Sequence, residues 1–352
     1  MMKKACLLVA VCLITALVAQ AQDKHFSQFY AAPLSINPAL TGGFNGSYRA
    51  AINYRDQWRG VFDEPFVTYA ASLAVRFPIE LDSRFKDAVG VGLQFFSDRV
   101  GGIDFNTNQI MVSGAFHKGL DFDSRQYLSG GFQIGVAQRN VNYESLTFQD
   151  QFNNLDAFEG TTIEDLPENN FSFADFNAGL NYTFTPKKRT TIFAGIAVYH
   201  LFRPQVSFFF DNEAIVLRGD NQLFRKYSVQ LSASLPLSDR TSIIPRLLYS
   251  QQGPHTRINA GTNFRIALNN FNGNALTFGG WLRPVIDEGD EIRVDAAVIM
   301  LGFEFNSVLL GLSYDANLED LATYRQGQGA FEFSITFLGD YENDDSILCP
   351  SF

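Results

Sequence analysis

Apolar and polar residues alternate along most of the chain from Tyr48 onward. In the segment 66–77 every second residue is apolar or aromatic, and in the segment 256–267 arginine, asparagine and glycine alternate with mostly apolar residues. A period of two places successive side chains on opposite faces of a β-strand. The pattern therefore predicts strands that each have one apolar face and one polar face.

About 14 segments carry this alternation, and most of them are about ten to thirteen residues long. Strands of soluble proteins average about five or six residues, whereas a tilted strand that crosses a bilayer needs about 9–11. Segment length therefore favours a transmembrane barrel over a soluble sandwich. The predicted strands span 47–57, 66–77, 87–97, 107–117, 126–139, 172–184, 190–201, 223–235, 241–250, 256–267, 274–284, 290–301, 306–315 and 328–339.

The connections between segments give a second, independent indication. The three longest gaps, 140–171, 202–222 and 316–327, follow the fifth, seventh and thirteenth segments, while tight turns follow the sixth and the eighth. Barrels of the outer membrane join their strands by short periplasmic turns and longer extracellular loops. We therefore predict one antiparallel barrel of about 14 strands over residues 47–339, with the long loops outside.

A membrane barrel assigns opposite roles to the two faces of each strand. Because only closure satisfies every backbone group within hydrocarbon, the apolar faces would meet lipid and the polar faces would line the lumen. Charges of both signs there could bridge the interior or bind a plug. A soluble barrel, with its apolar faces inward, is the alternative. The charged residues predicted to face the lumen include Arg49, Arg55, Arg76, Asp175, Arg246, Arg257, Arg265, Arg293 and Asp295.

The first 21 residues have the pattern of a secretion signal peptide. Two lysines precede an apolar core over 5–18, and the segment ends in Ala19-Gln20-Ala21, a small-x-small cleavage site. An anchoring helix is the alternative, but the core is shorter than the roughly 20 residues that span a bilayer. We expect cleavage before Gln22 and export to the outer membrane.

Composition narrows the function classes further. The formal net charge is −10, and it becomes −12 when Lys3 and Lys4 leave with the signal peptide. An acidic chain with no basic tract is a poor nucleic-acid binder. Only Cys349 remains after cleavage, and the four histidines lack metal-ligand spacing. We therefore expect no internal disulfide, no resident metal and no cofactor.

Residues 22–46 precede the first strand and form a separate N-terminal arm. Five aromatic residues lie between Phe26 and Tyr48, and Pro33 and Pro38 limit any helix to about one turn. Disordered tails are usually poor in aromatic residues. We therefore expect an ordered, irregular arm that packs against the periplasmic mouth or inside the lumen.

Both ends of the chain carry recognisable motifs. The stretch HFSQFYAAPLSINPALTG at 25–42, followed by YRAAINYRDQW at 48–58, resembles the start of the PorP/SprF family of type IX secretion system membrane proteins. The final CPSF at 349–352 is similar to the family's Cys-Pro-Arg-Phe ending. Ser351 stands where that ending has arginine, so any contact of the arginine is altered here.

The resemblance implies an outer-membrane barrel that takes part in secretion or surface attachment of a large adhesin, as in gliding motility. Its partners would be the adhesin or its C-terminal sorting domain, other secretion components such as a periplasmic peptidoglycan-binding protein, and membrane lipid. The family is not known for enzymatic activity. A diffusion porin or hydrophobic-solute channel is the alternative function.

We expect binding rather than catalysis, through the arm, the tail at 340–352 and the outer loops. A hydrolase with His200 and Ser207 is the enzymatic alternative, but sequence proximity is not triad geometry. Carboxylates in the loop 141–171 could hold calcium, although a solvated acidic loop is the simpler interpretation. The candidate partner-binding residues are His25, Phe26, Phe29, Tyr30, Asn37, Pro38, Trp58, Phe152, Phe158, Cys349 and Phe352.

Overall fold

Fourteen strands make up most of the protein. The structure, a computed structural model, describes residues 25–60, 64–79, 85–101, 104–152, 157–158, 160–208, 221–268, 274–286, 292–318 and 329–340. The strands are β1 (Tyr48–Gln57), β2 (Phe66–Ile79), β3 (Asp87–Val100), β4 (Phe105–Gly119), β5 (Gln126–Asn140), β6 (Asn170–Lys187), β7 (Thr190–Tyr199), β8 (Lys226–Pro236), β9 (Thr241–Gln252), β10 (His255–Ala267), β11 (Ala275–Ile286), β12 (Ile292–Phe305), β13 (Val308–Asn317) and β14 (Gly329–Gly339).

Each strand pairs antiparallel with its neighbours in sequence, and β14 pairs with β1 to close the barrel. In the closing ladder Tyr48 lies opposite Gly339 and Gln57 lies opposite Ala330 without a register shift. Closure leaves the sheet without an edge strand. The predicted fold class and the strand count of 14 are confirmed.

The two faces of the barrel differ as the alternation predicts. On the outside Ile299 and Leu301 are 69% and 61% exposed, whereas on the lumen side Arg55 and Glu332 are 3% and 1% exposed. An apolar exterior around a polar interior suits a barrel in lipid, and it excludes the soluble alternative, in which the apolar faces would be inside. No helix in the described ranges is long and apolar enough to cross a membrane.

The two ends of the barrel carry different connections. The long connections that follow β5, β7 and β13 all leave the barrel at one end, which we call the long-loop end. Two-residue connections such as Lys188-Arg189 and Asn306-Ser307 lie at the other, the short-turn end, together with both ends of the barrel chain at Tyr48 and Gly339. By the rule for such barrels, the long-loop end faces outward and the short-turn end faces the periplasm.

The lumen contains the described part of the arm, residues 25–46. The arm forms three short 3-10 turns, Phe29–Ala31, Pro33–Ser35 and Pro38–Leu40, because its two prolines stop longer helices. Most of its apolar side chains are almost fully buried. Those below 6% exposure are Phe26, Phe29, Ala31, Ala32, Leu34, Ile36, Ala39, Leu40 and Phe44.

Candidate functional site: the lumenal arm

The arm runs through the lumen from the short-turn end to the long-loop end. Ser47 donates its backbone N–H to the Gly339 carbonyl (2.8 Å), where the barrel begins and ends. Farther up, the Tyr199 hydroxyl donates to the Leu34 carbonyl (3.2 Å) near the end of β7. His25 lies 3.3 Å from Arg283, near the end of β11. The N-terminal end of the arm therefore lies close to the outer mouth.

Glycines on the barrel wall make room for the arm. A Cβ on Gly131 would lie 2.5 Å from the Pro38 carbonyl oxygen, and a Cβ on Gly179 would overlap the Asn37 side chain. The wall at Gly90 is equally close to the Thr41–Gly42 backbone. Real Cβ atoms do not approach this closely, so a larger residue at these positions would displace the arm. The wall is shaped for this segment of chain.

Asn37 fixes the middle of the arm to two strands at once. Its Nδ2 donates to the carbonyls of Leu180 on β6 (2.9 Å) and Ile196 on β7 (3.2 Å). Its Oδ1 accepts the N–H of Ala39 (2.9 Å) and so caps the turn that begins at Pro38. Both amide donors and the acceptor are used, which explains why the Asn-Pro-Ala motif needs asparagine.

The Thr-Gly pair that follows is held by a buried histidine. His117 on β4 contacts the Thr41 carbonyl through Nε2 (2.8 Å) and the Ser129 hydroxyl through Nδ1 (2.7 Å). A carbonyl only accepts, so Nε2 donates and Nδ1 of the neutral ring accepts from the serine. Gly42 has φ +76°, which suits glycine. The chain can therefore turn tightly here against the wall.

A buried ion cluster holds the outer end of the arm; we call it the Asp315–Glu332 cluster, and it consists of Ser27, Arg55, Arg283, Asp315 and Glu332. The two arginines share Asp315 Oδ2, at 2.9 Å from Arg55 and 2.7 Å from Arg283. Arg55 also pairs with Glu332. Arg283 pairs in addition with Asp295 (2.7 Å). Each buried charge of the cluster therefore lies beside an opposite charge, which makes its burial tolerable.

The carboxylates of this cluster bind the arm backbone directly. Glu332 accepts the N–H groups of Ser27 (2.6 Å) and Gln28 (2.8 Å), and Asp315 accepts the Ser27 hydroxyl (2.5 Å). Gln28 itself donates to the Ser313 hydroxyl (3.1 Å) and accepts from Ser334 (2.8 Å). The bonds to the two carboxylates are charge-assisted, and such bonds are about twice as strong as neutral ones.

Aromatic rings fill the lumen between the polar contacts. Phe26 meets Phe96 of β3 edge to face, with 5.9 Å between ring centroids. Phe29 and Tyr30 both pack edge to face against Trp281 of β11, at 6.4 and 6.0 Å. The arm therefore forms the apolar core that a barrel of this width would otherwise lack.

Burial changes the titration of two arm residues. Desolvation, reinforced by the nearby cations Arg257, Arg283, Arg55 and Lys226, holds the pKa of His25 well below its usual 6.5. His25 is therefore neutral when the arm is docked. Burial also raises the pKa of Tyr30 above its usual 10, although the neighbouring Arg246 opposes this. Tyr30 therefore keeps its proton at every physiological pH.

The candidate residues of the outer loop lie apart from the arm. Phe152 and Phe158 pack on each other at 5.1 Å and remain 37% and 50% exposed. Asp150 organises the same loop, since its carboxylate accepts the Ile163 N–H (2.6 Å) and the Thr162 hydroxyl (3.0 Å). The bond from Ile163 is the main reason why the pKa of Asp150 is lowered. The loop thus presents two exposed rings on a hydrogen-bonded scaffold.

The remaining candidates have separate locations. Trp58 lies at the long-loop end of β1, where its backbone has φ +62°. Its backbone N–H donates to the Gly329 carbonyl (2.9 Å), and its ring contacts Phe66. His200 pairs through Nδ1 with Asp175 (2.9 Å). Cys349 and Phe352, like the predicted signal peptide, lie outside the described residues. Within the described ranges no group of three His, Cys, Asp or Glu residues could hold a metal.

The sequence predicted only some of the residues of this site. His25, Phe26, Phe29, Tyr30, Asn37 and Pro38 lie side by side in the lumen, as one arm. Asp315, Glu332 and the wall glycines were not among the candidates. Each of them lies on the lumen-facing side of its strand, so the alternation of the two faces along the sequence could have identified them. No local pattern, however, links residues about 300 positions apart to the arm.

One protein family and several solved structures are similar to this chain. The model of the family described as type IX secretion system membrane protein PorP/SprF matches residues 18–337. The fold is similar to a FadL homologue of Pseudomonas aeruginosa (12% identity, 86% of this chain and 92% of that chain, TM-score 0.46). OmpF of Salmonella typhi in complex with daunomycin is similar at 10% identity (82% and 96%, TM-score 0.40).

CdiB of Acinetobacter baumannii is similar at 9% identity and a TM-score of 0.43 over 83% of this chain, which spans only 60% of the CdiB chain. Likenesses at this level carry no argument about function. No curated protein sequence matches the chain significantly.

The family match, in contrast, covers most of the chain and both motif regions of the arm and the first strand. Together with a closed barrel whose exterior is apolar, it places the protein in the outer membrane as a component of the type IX secretion system. The chain belongs to the PorP/SprF family of type IX secretion system membrane proteins.

Proposed function

We propose that this protein is a closed docking barrel, which attaches a secreted adhesin to the export machinery by protein–protein contact and catalyses no reaction. The observation that carries the proposal is the arm, which fills the lumen through contacts with strands around the whole barrel. A filled lumen leaves the outside surfaces for binding. The adhesin, or its C-terminal sorting domain, would be the main partner.

The outer surface offers a suitable docking site in the loop 141–169. Phe152 and Phe158 expose their rings at the long-loop end, and the loop contains no lysine or arginine. Exposed aromatic residues within a polar loop are typical of interaction sites. The acidic surroundings favour a partner whose contact surface is neutral or basic. The short-turn end would meet periplasmic components of the same machinery.

A diffusion porin is the rival function, and the arm argues against it. Fourteen strands about 4.8 Å apart and tilted about 40° would enclose a lumen of about 14 Å backbone radius, which is wide enough for an open channel. Here the arm occupies that space from Phe44 to His25. We expect the full chain to be silent in planar bilayers; a stable open channel would favour the porin.

The docking proposal can be tested on intact cells. Proteins labelled by biotin on the surface of wild-type cells, but missing after deletion of this gene, define the cargo. The variant Phe152→Ser/Phe158→Ser should lose the same proteins while the barrel still shows heat-modifiable migration on gels. Phe122→Ser, which alters an exposed ring at the short-turn end, is the matched control and should retain them.

Two outcomes would contradict the proposal. Unchanged display in the Phe152→Ser/Phe158→Ser variant would remove the loop as the docking surface. Loss of display in Ser207→Ala, with the barrel assembled, would instead favour the hydrolase hypothesis that pairs Ser207 with His200.

A further inference from the structure

Four cations lie on two neighbouring connections at the short-turn end. Lys187, Lys188 and Arg189 span the end of β6 and its tight connection to β7, and Arg240 lies in the next connection, between β8 and β9. All four residues are exposed. The two connections touch, because Arg189 donates from Nη1 to the Ser238 carbonyl (3.2 Å). We call these four cations the basic rim.

The protein itself does not balance the charge of the basic rim. Asp239 is the one acidic residue in the sequence of the two connections, and none of the four cations forms an ion pair with a carboxylate in the described part of the chain. On the neighbouring connection, between β4 and β5, Arg125 pairs with Asp123 (3.2 Å). The formal net charge of the chain is −10, so this concentration of positive charge is local.

Leucines of the lipid-facing wall adjoin the basic rim. Leu235 continues the row of exposed side chains that Val229 and Leu231 form on the outer face of β8. Leu237 follows in the connection and is 60% exposed. The rim therefore lies where the wall passes from hydrocarbon to water, with apolar side chains on the membrane side and cations on the water side.

The connection that carries Arg240 has a defined backbone conformation. The Ser238 hydroxyl accepts the backbone N–H groups of Arg240 (3.3 Å) and Thr241 (3.1 Å). The Leu237 N–H donates to the Thr241 carbonyl (2.9 Å). Because Arg189 reaches the Ser238 carbonyl from the adjacent connection, the cations of both connections are held on the same sector of the rim.

We propose that the basic rim binds the headgroup of an anionic phospholipid in the periplasmic leaflet of the outer membrane. The phosphodiester would lie between the two connections, close to Lys188, Arg189 and Arg240, and the acyl chains would lie along Leu235 and Leu237. Lysine and arginine beside a membrane surface attract anionic lipids, and the planar guanidinium matches the geometry of a phosphate.

An acidic protein would also be attracted by the charge of the rim. The adjacent leucines favour a lipid, because a soluble partner does not reach the hydrocarbon side of the wall. Lipid bound here would fix the depth of one sector of the barrel in the membrane. The proposal concerns the periplasmic boundary and stands apart from cargo docking at the opposite end.

The test uses the purified full chain in detergent, titrated with phosphatidylglycerol or with phosphatidylcholine of the same acyl chains, while native mass spectrometry counts the bound lipids. Phosphatidylglycerol should bind several-fold more tightly, and this preference should decline as the salt concentration rises. Glycerol phosphate, which carries the charge without acyl chains, should compete poorly. Full displacement of the lipid by glycerol phosphate would mean a simple anion site and would overturn the proposal.

The variant Lys188→Gln/Arg240→Gln removes two cations of the rim. Its binding of phosphatidylglycerol should weaken by up to about 30-fold at low salt, with phosphatidylcholine binding unchanged. Lys86→Gln/Arg125→Gln, which removes two exposed cations at the same end outside the rim, is the matched control and should bind as wild type. Heat-modifiable migration on gels shows whether each barrel is folded, and both variants alter only exposed side chains.

Two results of the variant experiment would overturn the proposal. The first is equal binding of phosphatidylglycerol in the rim variant and in the control. The second is a rim variant that binds the lipid as wild type does but loses a cross-link to an acidic periplasmic protein in cells, which would assign the basic rim to a protein partner.

Discussion

Replacing Glu332 by alanine should release the outer end of the arm while the barrel stays assembled. Glu332 accepts two backbone N–H groups of the arm, from Ser27 and Gln28, and pairs with Arg55. Alanine leaves these three buried donors without that acceptor and leaves Arg55 to share Asp315 with Arg283, which also pairs with Asp295. The contacts of Asn37 and Thr41 deeper in the lumen are untouched. The opening should therefore be local, over residues 25–32.

The size of the effect follows from the chemistry of buried ion pairs. Removing one partner of such a pair costs about 3–5 kcal/mol, and the unsatisfied N–H groups overlap with that cost. At about 1.4 kcal/mol for each factor of ten, the population of the opened outer end should rise between about 140-fold and about 4,000-fold.

Hydrogen exchange of the detergent-solubilised protein measures this population directly. Amides of the peptide 26–32, including the Ala31 N–H that donates to Gln28, should exchange faster by the same factor in Glu332→Ala. Glu304→Ala is the matched control, because Glu304 pairs with Arg265 away from the arm contacts described here. Unchanged exchange in Glu332→Ala, or equally faster exchange in Glu304→Ala, would refute the role of the cluster.

Three further predictions concern the wall glycines that contact the arm, the pH dependence of Tm, and the lipid-facing side of the barrel. Gly179→Val should displace Asn37 and speed exchange over residues 36–41, whereas Gly114→Ala, whose Cβ meets only Phe132 at 3.6 Å, should not. Docking lowers the pKa of His25, so below about pH 6.5 the undocked state binds a proton that the docked state does not. Tm should therefore fall as the pH drops from 7.5 to 5. His25→Gln should flatten this fall, and a fall of the same size in that variant would contradict the assignment. Leu301→Arg should cost about 2–4 kcal/mol and reduce the heat-modifiable folded fraction, while Leu318→Arg near the long-loop end should be tolerated.

The barrel could be predicted from the sequence because a membrane imposes its pattern residue by residue. Alternation along β2 or β10 is a local property, and the register follows once one face must meet lipid. The sequence also predicted that the three longest loops follow odd-numbered strands. The strand bounds moved by only a few residues, as for β12, which continues to Phe305.

The docking of the arm could not be predicted in the same way. Its aromatic residues indicate that it is ordered, but the partners of Ser27 and Asn37 lie in six strands, β1, β6, β7, β11, β13 and β14. Which wall residue meets which arm residue depends on the tilt and register of the whole barrel. The sequence does not reveal that Gly131 and Gly179 make room for the arm, because a glycine in a strand can have several explanations.

A cross-link between the arm and the wall tests the central claim, that the arm lies inside the lumen, most directly. The side-chain oxygens of Thr41 and Ser113 are 2.9 Å apart. In a Cys349→Ser background, the pair Thr41→Cys/Ser113→Cys should form a disulfide nearly completely in isolated outer membranes, and a single Thr41→Cys should resist a membrane-impermeant maleimide. Two free, rapidly labelled thiols in the double variant would contradict the account.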